Sequence, residues 1–271
     1  MTNYYTEAGI LQDKKQYTEA MALYQKGAAE NDAKCHCAIA HLLLRGCGCE
    51  RDDATATKLL EAHFEEIQAL AEAGDPEATL LLATYYHHGF SPVAQDLPRA
   101  LSYTLIAAHS GLAEAQVRAG EHYKRGIGTE RDDAKAVEWY QRAAAQGNST
   151  AQWRLGLSYE MGEGVKQDYT EAAIQYRYAA EQEDGEAQWR LGFLYFFGFG
   201  VKQDIDLAVT WFRRSAAQGN SVGQWRLGFM YENGLGVKKD LSLAAAWYRK
   251  SALRGDPVGQ RMLESLAARA K

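Results

Sequence analysis

Cys35, Cys37, Cys47 and Cys49 form two C-x-C pairs with His36 and His41 beside them, the donor types of a zinc site. The segment between the pairs reads as helix over residues 33–45, which sets them at its opposite ends. That helix separates them by about 18 Å, too far for one tetrahedral site or a disulfide. Cys35 and Cys49 also stand where later segments carry Ala151 and Val165, so structural thiols and no metal are expected. His63, His87, His88, His109 and His122 complete no H-x-x-x-H frame, and no nucleophile-elbow, Walker or Cys-His-Asp signature appears. No catalytic residue and no cofactor is expected, and the chain reads as a non-enzyme.

A different chemistry recurs with a fixed beat. "AQWRLGLSYEMGEGVKQD" begins at Ala151, "AQWRLGFLYFFGFGVKQD" at Ala187 and "GQWRLGFMYENGLGVKKD" at Gly223. Each carries a Trp-Arg pair: Trp153-Arg154, Trp189-Arg190 and Trp225-Arg226, with Arg118 one beat earlier. Tryptophan and arginine on one surface are the residues of binding hot spots rather than of bond-making chemistry.

The bulk numbers agree with a folded, non-nucleic-acid-binding chain. Of 271 residues 46% are hydrophobic and 24% charged, which favours a packed protein over a disordered one. The net charge of −5, without a Lys/Arg block, gives no surface for phosphates, so nucleic acid is not an expected partner. No apolar run is long enough for membrane insertion, and the N-terminus shows no signal peptide. The cytoplasm is the expected compartment.

Positioning those pairs requires helices. Gly126/Gly128, Gly162/Gly164, Gly198/Gly200 and Gly234/Gly236 mark turns, with Gly46-Cys47-Gly48 and Gly89 as earlier, looser versions. Asn148 caps a helix that Gly162 stops, and Asp168 starts a second one, with Glu171 completing a capping-box-like pair. The Gly-x-Gly pairs follow no strand, so they are turns and not phosphate loops. Ala151, Leu155 and Tyr159 form one stripe, with Gly156 leaving room for a neighbouring helix. Neither helix buries its apolar face alone, so the units must stack.

The pattern A-x-x-x-L-G-x-x-Y-x-x-G-x-G-V-x-x-D, followed by A-x-x-W-Y-x-x-A-A, resembles the Sel-one-like repeat, a relative of the tetratricopeptide repeat. The resemblance implies an all-α, right-handed α-solenoid of antiparallel helix pairs, acting as an adaptor or scaffold. One domain over 1–271 is expected: degenerate repeats in 1–112, regular ones at 113–148, 149–184, 185–220 and 221–256, and a capping helix at 257–271. Seven extra residues between Asp53 and Gly74 predict a helix two turns longer than the rest, protruding at one edge. The longer turn in "GFSPVAQDLP" predicts a bend in the stacking there.

Trp153 lies about 160° around its helix from Leu155, so it faces away from the inner stripe. The resemblance places that side on the concave surface. It carries Trp153, Leu157 and Glu160; then Trp189, Phe193 and Phe196, with Phe197 beside them; then Trp225, Phe229, Glu232 and Asn233. Earlier repeats offer Cys37, His41 and Leu44, then Leu80, Thr84 and His87, then Val117, Glu121 and Lys124. Two readings stand: rings filling gaps between repeats, or a groove for a segment of another protein. In the second, Glu160, Glu232 and Asn233 line a rim for a basic or amide-bearing ligand. The ladder Arg118, Arg154, Arg190 and Arg226 is either solvated and salt-bridged or a grip for carboxylates. The expected partner is a protein or peptide; nothing indicates a homo-oligomer. An immunity protein neutralising a cognate toxin is the alternative to an adaptor.

Overall fold

The computed structural model describes residues 3–13 and 16–269. They form fifteen helices and no strand. Most helices are 13 residues long because, between Ala33 and Leu253, a left-handed glycine ends each first helix and an aspartate starts the second. Gly162, at φ 71°, ends the helix Ser149–Met161 and donates its N–H to the Ser158 carbonyl. Asp168 then accepts from the N–H groups of Thr170 and Glu171, at 2.9 and 3.1 Å. The capping box is only half formed. The Asp168 N–H goes back to the Tyr159 carbonyl at 2.9 Å, closing the turn, and so has no need of the Glu171 side chain. A Cβ on Gly164 would strike the Asp133 carbonyl, so this second glycine lets one turn lie against the preceding repeat.

The chain divides into two compact units, 1–132 and 133–271. The first contains α1 (Tyr4–Asp13), α2 (Tyr17–Ala29), α3 (Ala33–Arg45), α4 (Asp53–Glu72), α5 (Pro76–His88), α6 (Leu97–His109) and α7 (Ala113–Arg125). Successive helices pack side by side, and α1 also touches α3. Its core centres on Tyr85, fully buried, whose hydroxyl donates to the Leu60 carbonyl at 2.7 Å and lies 3.3 Å from Cys37 Sγ. Tyr5 of α1 packs onto the same cluster beneath the Lys34 ammonium, and Lys34 bridges Asp75 and Glu77.

Helix α4 has 20 residues, as its spacing predicts. Its extra turns do not stand free: Ile67 is fully buried, and Leu70 and Ala71 pack on the cluster around Tyr85. The apolar spacing simply continues past Phe64. The long turn after α5 is absorbed locally, since Gly89 still caps in the left-handed region and the Asp96 N–H still returns to Tyr86 at 2.8 Å.

All four cysteines are free. Cys35 and Cys37 are buried, and burial first of all pushes their thiols up to about 12 and about 11. Cys47 and Cys49 are half-buried.

The second unit contains α8 (Asp133–Ala145), α9 (Ser149–Met161), α10 (Tyr169–Glu181), α11 (Gly185–Phe197), α12 (Ile205–Ala217), α13 (Ser221–Asn233), α14 (Leu241–Leu253) and α15 (Pro257–Arg269). The leucine-glycine step of each first helix is explained by the aromatic ring of the following helix. A Cβ on Gly156 would lie 2.7 Å from the Tyr176 ring; Gly192 meets Phe212 and Gly228 meets Tyr248, both at 2.8 Å. Tyr176, Phe212 and Tyr248 are thereby buried to 2% exposure or less. Within this unit α11 also touches α13, and α13 touches α15, so the first helices form its closely packed side. At α15 only Gly259 and Leu266 are buried, leaving most of that helix in solvent.

Candidate functional site

Helices α9, α11 and α13 present the residues of the tryptophan side together, because each starts at the same point of its repeat. Trp153, Leu157, Glu160, Trp189, Phe193, Phe196, Trp225 and Phe229 are all half-buried; Phe197 and Asn233 are exposed, and Glu232 is buried. The ring faces are not open. Arg154 lies 4.1 Å over Trp153, Arg190 4.5 Å over Trp189 and Arg226 4.5 Å over Trp225. Arg226 also lies 5.1 Å from Trp189, so arginine and tryptophan alternate across these two helices. The arginine ladder is thus a half-buried layer within the face. Arg118 of α7, in the first unit, instead donates to Thr84 and Glu114, at 2.7 and 2.6 Å.

The two expected rim acids already have partners. Glu160 accepts from the Tyr176 hydroxyl at 2.5 Å and from Arg190 at 3.3 Å. Glu232 accepts from Tyr248 at 2.6 Å and from Arg269 at 2.5 Å. Buried charge requires such partners, so these carboxylates hold the stack together and are not free for a ligand.

The repeat between them is built differently. Where its neighbours pair Tyr176 with Glu160 and Tyr248 with Glu232, it has Phe212 and Phe196, which line one cavity. Phe193, Phe196 and Phe197 form one ring cluster, with centroids 4.7 Å apart between Phe193 and Phe197 and 4.9 Å between Phe196 and Phe197. Phe199 stacks on Phe197 at 5.5 Å and tilts against Tyr169 at 5.1 Å. Phe197 and Phe199 remain 48% and 40% exposed, two adjacent large rings in water. Beside Phe196 and Phe197 opens a cavity of about 150 Å³ lined further by Phe212, Trp225, Arg226, Phe229 and Met230.

Phe199, Phe212 and Met230 escape the helix-face reading. Phe199 sits in a turn, where the other regular repeats carry Ile127, Glu163 and Leu235; that contrast is its signal. Phe212 comes from the second helix, and its signal is the joint change of Tyr176 and Glu160 to Phe212 and Phe196.

The two matched arginines differ in electrostatics. Burial pulls Arg190 down, but Tyr176, Glu186 and Glu160 around it more than offset this, and its pKa is raised. Burial, and then the charge of Arg190, lowers Arg226 to about 10 despite the more distant Glu160.

Among the described residues no group of histidine, cysteine and acidic side chains is arranged to hold a metal, and no helix is long and apolar enough to cross a membrane.

The chain resembles a crystallised protective antigen, c5321 of uropathogenic Escherichia coli, with an SLR fold. They are 30% identical at a TM-score of 0.70, over 90% of this chain and 50% of that one. A Sel1 repeat protein from Oxalobacter formigenes is 29% identical at a TM-score of 0.68, over 92% of this chain and 70% of that one. The chitin synthase regulator SKT5 of Saccharomyces cerevisiae is 30% identical over 124 residues, 45% of this chain and 17% of that protein. The chain therefore spans half the length of the antigen and less than a fifth of the yeast regulator. Sel1 repeats generally mediate protein–protein interaction and generally form non-catalytic scaffolds. The Sel1 repeat model matches residues 4–32, 76–112, 113–148, 149–184, 185–220 and 221–256, in step with the glycine turns and aromatic spacers described above, and the chain belongs to the Sel1 repeat family.

Proposed function

We propose that the chain is a non-catalytic adaptor that binds a segment of another protein on the aromatic face of α9, α11 and α13. The observation that supports this most is the exposed, stacked pair Phe197 and Phe199 beside the apolar cavity. Two large rings held in water contribute little to folding, and they offer a partner apolar area on a pre-ordered surface. The half-buried tryptophans support the surface from beneath.

The test is capture from lysate of the native cell, identified by mass spectrometry, with wild type beside Phe197→Ser/Phe199→Ser. These rings are exposed, so the variant should melt as wild type does. Loss of a partner in the variant supports the reading. Equal capture by both proteins moves the binding surface elsewhere. The nature of the partner separates the roles: short segments from one or more proteins mark an adaptor. A single folded enzyme held one-to-one marks an inhibitor of the immunity type.

A further inference from the structure

Arg190 and Arg226 occupy the same repeat position, yet among the described residues only Arg190 is ion-paired. It is bridged to Glu160 at 3.3 Å and to Glu186 at 3.2 Å. The corresponding positions around Arg226 hold Phe196 and Val222. Among the described residues no carboxylate forms an ion pair with Arg226, and its buried Nε has no hydrogen-bond partner. Rings surround the guanidinium instead: Trp225 at 4.5 Å, Phe193 at 4.8 Å, Trp189 at 5.1 Å and Phe212 at 5.8 Å. Rings satisfy the faces of a guanidinium but not its in-plane N–H groups, which need an acceptor. The same side chain lines the cavity of about 150 Å³. Apolar cavities of about that size admit a benzene ring.

We infer that this pocket receives an acidic side chain carried next to an apolar one on a segment of a partner protein. The apolar group fills the space between Phe196, Phe212, Phe229 and Met230, and the carboxylate takes the place that Glu160 fills for Arg190. Charge complementarity decides the partner's chemistry: a cation that has lost both internal carboxylates is completed by an external one. Burial, and then the charge of Arg190, depress the Arg226 pKa, with only Glu160 opposing them. The carboxylate belongs to a side chain rather than a chain end. The face continues past Arg226 toward Trp189 on one side and toward Glu232 and Arg269 on the other, so a bound segment runs on in both directions. This inference rests on the reading of the face as a protein-binding surface.

The test pans a phage-displayed random-peptide library on the full chain and then measures synthetic peptides by fluorescence anisotropy. The baits are wild type, Arg226→Met, Phe196→Glu/Phe212→Tyr and Phe197→Ser/Phe199→Ser. The second variant restores the pattern of the flanking repeats, so it pairs Arg226 internally and should melt no lower than wild type. Wild type should enrich peptides with Asp or Glu within two positions of Leu, Met or Phe. Changing that acid to its amide should weaken binding about tenfold or more. Arg226→Met and Phe196→Glu/Phe212→Tyr should both lose the acidic preference, and C-terminal amidation should change nothing. Enrichment of peptides with no acidic preference, an amide swap without effect, or dependence on a free C-terminus overturns the inference and leaves the binding surface standing. If no enriched peptide depends on Phe197 and Phe199, the surface and the pocket fall together.

Discussion

The two units carry the same repeat and fill its outward first-helix positions with different side chains. In the first unit those positions hold Cys37, Leu80 and Thr84, all buried, and His41, whose Nε2 is buried without a partner. Burial above all, with the charge of Arg118 next, holds His41 down to about 3. His87, His88 and His122 are also held below their usual range, chiefly by burial. In the second unit the same positions hold three tryptophans and three phenylalanines with Leu157, Glu160 and Glu232, layered with arginine, and Phe197 beside them is open to water. A repeat scaffold fixes where side chains stand, and their size and charge then decide whether that layer becomes core or surface.

The contrast breaks first at matched positions. Trp189→Ala should cost about 3 kcal/mol in urea unfolding, because a large ring that also covers Arg226 is lost. Val117→Ala, one repeat position of the same type in the first unit, should cost about 1 kcal/mol. Equal costs would mean that the tryptophan layer is no more structural than the valine it replaces.

A second break lies in the paired acids. Glu160→Gln removes the charge that Tyr176 and Arg190 share, and should lower stability by about 2 kcal/mol. An unchanged melt would reduce that network to a surface contact.

Acid should separate the units next. A histidine held neutral in the fold takes up protons more readily when unfolded. Its stabilising contribution is therefore complete above the ordinary histidine pKa and falls as pH drops below it, until about 3 for His41. The slope is about 1.4 kcal/mol per pH unit for one such group. Hydrogen exchange resolved by peptide should show residues around α3 and α5 losing protection between about pH 6 and 4, before α9–α13 do. Simultaneous loss in both units would remove the histidines as the cause.

The smallest effect on stability belongs to Phe197→Ser, within about 0.5 kcal/mol of wild type, although it should weaken partner capture most. A large loss of stability would instead make Phe197 part of the packing.

The turns were readable from the chain because each depends on neighbours in sequence: Gly162 on its own φ, Asp168 on the next few N–H groups. Gly156 was readable as a close approach, but which ring it admits was not, since Tyr176 arrives from the following helix. The same limit applied to Glu160 and Glu232. Helical spacing puts both on the tryptophan side, yet their acceptor capacity is used by tyrosines 16 residues further on. Phe199 was missed because a turn residue has no helical face to be counted on.

By itself, then, the sequence determined the period, the helix ends, the extra length of α4 and which side of α9, α11 and α13 bears tryptophan. Those features follow from backbone preferences and from the fixed rotation of 100° per residue. Tertiary structure alone decided that α4's extra turns are packed, that arginine covers the tryptophan faces, and that Arg190 is paired while Arg226 is not. Such outcomes depend on distances of a few ångströms between helices, across which a hydrogen bond or ion pair either forms or fails.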